Sequence, residues 1–158
     1  MKKLRRWVKA GTILRKAREE TKTVVIIGKK NLPTISASDR SGIADFEVEG
    51  GNAGIFVEIK ATPSNKNKPW TSIANCRILS ENAIWLKTPT TLNFGAGNRR
   101  TPKIYISNNW IQQGGYTAGT GIRFDLIGPK TGELSVYLDI VDNIIEHKFT
   151  GISLAAEG

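Results

Sequence analysis

Ile43-Ala44-Asp45-Phe46-Glu47-Val48-Glu49 is followed at once by Gly50-Gly51-Asn52 and then, after Ala53-Gly54, by Ile55-Phe56-Val57-Glu58-Ile59-Lys60. In the first run Ala44, Phe46 and Val48 alternate with Asp45, Glu47 and Glu49; in the second Ile55, Val57 and Ile59 share one side. A period of two puts one set of side chains on a buried face and the other in water. The intervening glycines supply the positive φ that a tight reversal needs. The stretch reads as a β-hairpin with a solvated acidic face, and it sets the expectation of antiparallel pairing for its neighbours.

Outward from the hairpin the same kind of segment recurs. Lys22 to Ile27 precedes it, ended by Gly28 and the Asn31-Leu32-Pro33 turn. Pro63 to Pro69 is a polar loop by composition, and after it come Ile73 to Leu79, Ala83 to Lys87, Lys103 to Ser107, Ile122 to Ile127, Leu134 to Val141 and Ile144 to Leu154. Turn chemistry separates them at Thr88-Pro89, Gly95-Ala96-Gly97-Asn98, Asn108-Asn109, the glycine-rich 114–121 segment and Gly128-Pro129. Eight or nine short strands without a helix after residue 20 predict an all-β fold, an antiparallel β-sandwich of jelly-roll or Greek-key type. No internal repeat of fixed period is apparent, which argues against propellers and solenoids.

The 158 residues carry 23 Lys and Arg against 14 Asp and Glu, a net charge of +9. Residues 1–30 hold eleven of the bases and two of the acids, a net of +9, while residues 31–158 balance at twelve of each. The chain therefore divides into a basic N-terminal arm, 1–21, and a neutral β-sandwich domain, 22–158. Within the arm Leu4, Trp7, Val8, Leu14 and Ala17 recur near a period of 3.6, a helical pattern weakened by Gly11 and by the β-branched pair Thr12-Ile13. Lys2, Lys3, Arg5, Arg6, Lys9, Arg15, Lys16 and Arg18, with Trp7 to stack or insert, are the candidate contacts to nucleic acid or to an adjacent subunit. An anionic membrane surface ranks behind these. Arg99 and Arg100 are the candidate loop contacts in the body.

Catalysis finds no foothold. His147 is the single histidine and sits in a strand-like context, and no Gly-x-Ser-x-Gly elbow is present. Cys76, the single cysteine, lies in an apolar segment as a core residue would, and it excludes an internal disulfide. The carboxylates Asp45, Glu47 and Glu49, or Asp39 with Asp45 and Asp125 with Asp139, read as solvated acids rather than a general acid/base pair or a calcium site. The glycine-rich loops lack the Gly-Lys-Ser/Thr ending of a phosphate loop. No catalytic residue, metal, cofactor or small-molecule substrate is expected. The basic start is not followed by an apolar run of signal-peptide length, and no stretch is long and apolar enough to span a membrane. The expected location is a virion or a cytoplasmic site of assembly.

A short basic arm ahead of a neutral sandwich resembles, in outline, the small viral jelly-roll coat proteins, in which the arm meets packaged nucleic acid and the body tiles a shell. Ala44-Asp45-Phe46-Glu47-Val48-Glu49-Gly50 and Thr131-Gly132-Glu133-Leu134-Ser135-Val136-Tyr137 also have the cadence of bacterial pilin-like or surface sandwiches. The resulting expectation is a non-enzymatic structural or assembly protein, a capsid or capsid-associated subunit forming a homo-oligomer or particle. The alternatives are a secreted pilus-like or adhesin-type subunit with a misassigned start and, third, a carbohydrate-binding sandwich using Trp70, Trp85, Trp110 or Tyr116.

Overall fold

The computed structural model describes residues 7–8, 12–16, 23–61, 70–112, 115, 118–146 and 150–157. Its chain is all-β and winds as a parallel β-solenoid. The first rung holds β1 (Trp7–Val8), β2 (Ile13–Arg15) and β3 (Val25–Ile27), and the second β4 (Ile35–Ser38), β5 (Gly42–Ala44) and β6 (Glu47–Glu49). The third holds β7 (Ala53–Glu58), β8 (Trp70–Ala74) and β9 (Arg77–Leu79). The fourth holds β10 (Asn82–Lys87), the two-residue β11 (Arg99–Arg100), β12 (Lys103–Ser107) and β13 (Trp110–Gln112). The fifth holds β14 (Thr120–Ile127), β15 (Glu133–Leu134), β16 (Tyr137–Val141) and β17 (Ile144–Ile145), after which β18 (Thr150–Glu157) returns to the first face. Three sheets run along the axis: β1-β4-β7-β10-β14-β18, then β2-β5-β8-β12-β16, then β3-β6-β9-β13-β17. We call them the first, second and third faces.

The core follows from in-register stacking. Ile35, Ile55, Ile84 and Ile122 form one inward column, Ile43, Ile73, Ile106 and Ile140 a second, and Val48, Ile78, Ile111 and Ile145 a third. All but the last-rung members Ile140 and Ile145 are fully buried. β-branched side chains suit this site because their restricted χ1 costs little on a pleated surface and identical shapes nest rung on rung.

On the second to fifth rungs the sharp corner between the second and third faces is made by one residue each in the left-handed region: Asp45 (φ 68°), Asn75 (φ 54°), Asn108 (φ 55°) and Asp142 (φ 54°). Asx residues tolerate that conformation better than other non-glycine types. The next residue points inward, so Phe46, Cys76, Asn109 and Asn143 form a column of their own. Main-chain bonds cross the rungs at this corner, Asp45 N to Ala74 O at 3.2 Å and Asn75 N to Ser107 O at 3.2 Å.

The antiparallel sandwich is thereby corrected, since every described strand pair is parallel. The expected hairpin is not one. β6 pairs with β3 and β9, whereas β7 pairs with β4 and β10, and Gly50 and Gly51 (φ 78° and 79°) form the corner between the third and first faces. Alternation in sequence reports which side is buried, and it is identical for a hairpin and for a rung. The runs Ile43–Glu49 and Ile73–Leu79 are each two strands broken at the Asx corner.

No helix occurs among the described residues: the arm's Trp7–Val8 and Ile13–Arg15 are strands paired with β4 and β5. With the jelly roll goes the likeness to viral coat proteins, and the capsid and virion reading has nothing left to rest on. The solenoid that the lack of a fixed period argued against is the fold, because linkers of unequal length between stacked strands leave no fixed period. Among the described residues no helix is long and apolar enough to cross a membrane.

Candidate functional site

Two outward ladders hold most of the polar chemistry. On the third face Glu47, Arg77, Trp110 and Ile144 stand in register. Arg77 Nη1 lies 3.1 Å from Glu47 Oε1, its guanidinium covers the Trp110 ring at 5.1 Å, and its Nε and Nη2 donate to Gln112 Oε1 at 3.1 and 3.0 Å. Trp110 Nε1 and Gln112 Nε2 both donate to Glu146 Oε2, at 2.8 and 3.1 Å. On the first face Phe56, Trp85 and Arg123 are in register. Trp85 meets Phe56 edge-on at 5.5 Å, lies under the Arg123 guanidinium at 4.8 Å and donates from Nε1 to Asp125 Oδ2 at 2.8 Å. Asp125 also pairs with Arg123 Nε at 3.0 Å. These side chains are spent on one another along the axis, holding rung to rung as cross-strand pairs do.

The inward Asn column joins the buried Asn109 to the half-buried Asn143. Asn109 Oδ1 accepts from Cys76 N at 3.0 Å, and its Nδ2 donates to Ile73 O at 3.0 Å and to Asn143 Oδ1 at 2.9 Å. Asn143 repeats the motif one rung on, accepting from Asn109 N at 3.0 Å and donating to Ile106 O at 2.7 Å. Neither ladder was foreseen. The signal for the Asn column was the recurrence of Asn or Asp two residues after an inward isoleucine, directly before the inward position.

Of the arm residues, Lys2, Lys3, Arg5, Arg6, Lys9 and Arg18 lie outside the described residues. Trp7 is in β1, its backbone in register with Ser36. Arg15 is in β2, its Nε 2.6 Å from Asp45 Oδ2, and Lys16 follows directly. Arg99 and Arg100 form β11, paired with β15. Arg99 Nε is 3.6 Å from Glu133 Oε1 in a well-solvated pair of the kind that contributes little, and Arg100 covers the Phe94 ring at 5.8 Å.

His147 and Tyr116 lie outside the described residues. Trp70, Trp85 and Trp110 occupy the second, first and third faces in turn and form no common platform. Asp125 and Asp139 likewise stand on different faces, and Asp39 is buried, accepting from Ala61 N at 2.8 Å, with its carboxyl pushed up by desolvation. No group of three or more metal-ligating side chains exists among the described residues.

Cys76 is buried, and desolvation pushes its thiol up to about 11, the opposite of a reactive thiolate. Because the folded value lies above the ordinary 9.0, the unfolded chain ionises first. The thiol's contribution to stability is therefore constant below pH 9 and is lost as pH rises from 9 toward 11. Denaturant titrations at pH 8 and pH 10.5 should show a fall in stability that Cys76→Ala reduces. An equal fall in both proteins would contradict the assignment.

Comparison with known proteins finds no family model, no curated protein and no solved structure that matches this chain.

Proposed function

We propose that this chain is a non-enzymatic structural module whose role is assembly with other protein, a rigid prism rather than a catalyst. The observation that carries the reading is how its polar side chains are used. The outward Glu47–Arg77–Gln112–Glu146 and Trp85–Arg123–Asp125 ladders and the inward Asn109–Asn143 column bind rungs to each other. Large apolar side chains are left exposed, most of them on the end rungs: Ile13, Val25 and Ile27 on the first, Tyr137, Val141 and Ile144 on the fifth, and Ile152 and Leu154 on β18, with Leu32, Trp70 and Trp110 between them. Exposed apolar surface of this extent marks interaction sites. Assembly is favoured over nucleic-acid binding because Arg15, one of the arm residues described, is already held by Asp45.

Sedimentation velocity of the full chain from about 1 to 100 µM tests this reading, a range that brackets ordinary protein association constants. Concentration-dependent oligomers are expected. A monomer across the whole range would overturn it.

A further inference from the structure

We infer that the second face carries a binding strip for an extended, uncharged polysaccharide, whose sugar rings lie along the solenoid axis over Trp70 and Tyr137. The three faces use their outward polar groups differently. On the first face Trp85, Arg123 and Asp125 consume one another's donors and acceptors, and on the third Glu47, Arg77, Gln112 and Glu146 do the same. On the second face two outward columns stand in register, Trp70 with Lys103 and Tyr137, and Ser72 with Tyr105 and Asp139. On β8 and β12 they alternate with the buried Thr71, Ile73, Ile104 and Ile106. Among the described residues, no hydrogen bond or ion pair engages any of these six side chains. Their mutual contacts are through ring faces: Lys103 Nζ stands 5.9 Å from the Tyr137 ring, and the Tyr105 and Tyr137 rings lie 6.0 Å apart, tilted by 52°.

The placement of the rings names the ligand class. Trp70 and Tyr137 are 49% and 50% exposed and stand two rungs apart, a separation of about 10 Å. A flat, extended chain of pyranose rings advances by close to one rung spacing per sugar, so every second sugar of one strand falls on one of these rings. The C–H face of a sugar stacks on an aromatic plane while the hydroxyls at its rim take polar partners. Trp and Tyr supply such a plane, with a polar tip, at small entropic cost. Neighbouring hydrogen-bonded strands hold the rings in place before any ligand arrives, which lowers the cost of binding.

Charge and hydrogen-bonding capacity choose among ligands. β8, β12 and β16 together carry one base, Lys103, and one acid, Asp139. That balance offers a polyanion no net attraction. A polyproline II segment repeats every three residues, about 9.3 Å, and so also spans two rungs. Its prolines offer carbonyl acceptors and no backbone donor, which leaves the Asp139 carboxylate without a partner. Sugar hydroxyls both donate and accept, and they match Lys103, Asp139 and Ser72 alike.

The test is isothermal titration calorimetry of the full chain with β-1,4-linked hexaoses of glucose, mannose and N-acetylglucosamine. At least one should bind with a Kd of about 1 mM or tighter. Trp70→Ala and Tyr137→Ala alter exposed positions, so both should keep the wild-type circular dichroism, and each should weaken that binding at least about tenfold. Tyr137→Phe, which keeps the ring, should retain most of it. Trp110→Ala, which removes a 43% exposed ring from the third face, should bind as wild type does. Absence of binding to all three hexaoses would overturn the inference, as would binding that survives both Trp70→Ala and Tyr137→Ala. Two other results would reassign the strip and overturn the polysaccharide. One is a proline-rich decapeptide that binds wild type but not Trp70→Ala while no hexaose binds. The other is a loss of self-association in Trp70→Ala without hexaose binding, which would give the strip to a second copy of the chain.

Discussion

Asn109→Ala lowers the stability of the folded chain by about 3 kcal/mol, equivalent to a drop in melting temperature of roughly 10 °C for a domain of this size. Asn109 is buried at 1% exposure. Truncation removes the acceptor of the Cys76 N–H and the donor to the Ile73 carbonyl in a place water does not reach. Leaving buried groups unsatisfied costs more than the net worth of the bonds that satisfied them. Asn143→Ala, on the less buried last rung, should cost less. The double variant should fall short of the sum of the single effects, because Asn109 Nδ2 and N both donate to Asn143 Oδ1 and that link is lost only once. Urea titrations of the three variants measure this. Strict additivity would mean that the column does not act as a connected ladder.

Gly51→Ala should cost at least as much, and here the two readings of the sequence diverge. At a hairpin tip the substitution meets only the left-handed backbone penalty, of order 1 kcal/mol. In the solenoid Gly51 is a corner wedged between passes of the chain. A Cβ there would stand 2.7 Å from Ala53 O, Leu32 O and Thr34 Oγ1, on top of φ 79°. Main-chain atoms cannot move aside without shifting a rung, so a loss of about 3–4 kcal/mol is expected. Gly97→Ala is the internal control. Its φ of 76° carries the same conformational penalty, but nothing lies within 4 Å of the added methyl. Equal melting temperatures for the two variants would place Gly51 at an open tip.

The contrast explains what the sequence could and could not convey. Ile43–Glu49 announced a strand-like segment with one buried side, and that much was correct, because burial of one face forces the alternation whichever strand lies alongside. It carried no information on the neighbour. The neighbours of Val48 are Ile26 and Ile78, well before and well after it, and neither lies in the run that follows the two glycines.

The repeat was present but not periodic. Ile43-x-Asp45-Phe46-x-Val48, Ile73-x-Asn75-Cys76-x-Ile78, Ile106-x-Asn108-Asn109-x-Ile111 and Ile140-x-Asp142-Asn143-x-Ile145 are one motif, with their isoleucines separated by 30, 33 and 34 residues. On the first face the separations Ile35–Ile55, Ile55–Ile84 and Ile84–Ile122 are 20, 29 and 38. Loops of unequal length leave the strands stacked while destroying any fixed period, so a search by period misses what a search by pattern finds. The polar ladders were hidden for the same reason. Arg77 and Gln112, or Trp85 and Asp125, become partners only once the rungs are in register.

Parallel, in-register stacking is the claim on which all of this depends, and cross-strand nuclear Overhauser effects test it most directly. Rungs stand about 4.8 Å apart, so backbone contacts should link Ala44 to Ala74, Ala74 to Ser107 and Ser107 to Val141 along the second face. That chain of contacts, with none joining Ile43–Glu49 to Ile55–Lys60 as paired strands, is the result the solenoid predicts. Close Hα–Hα contacts between Ile43–Glu49 and Ile55–Lys60, the mark of an antiparallel hairpin, would contradict it.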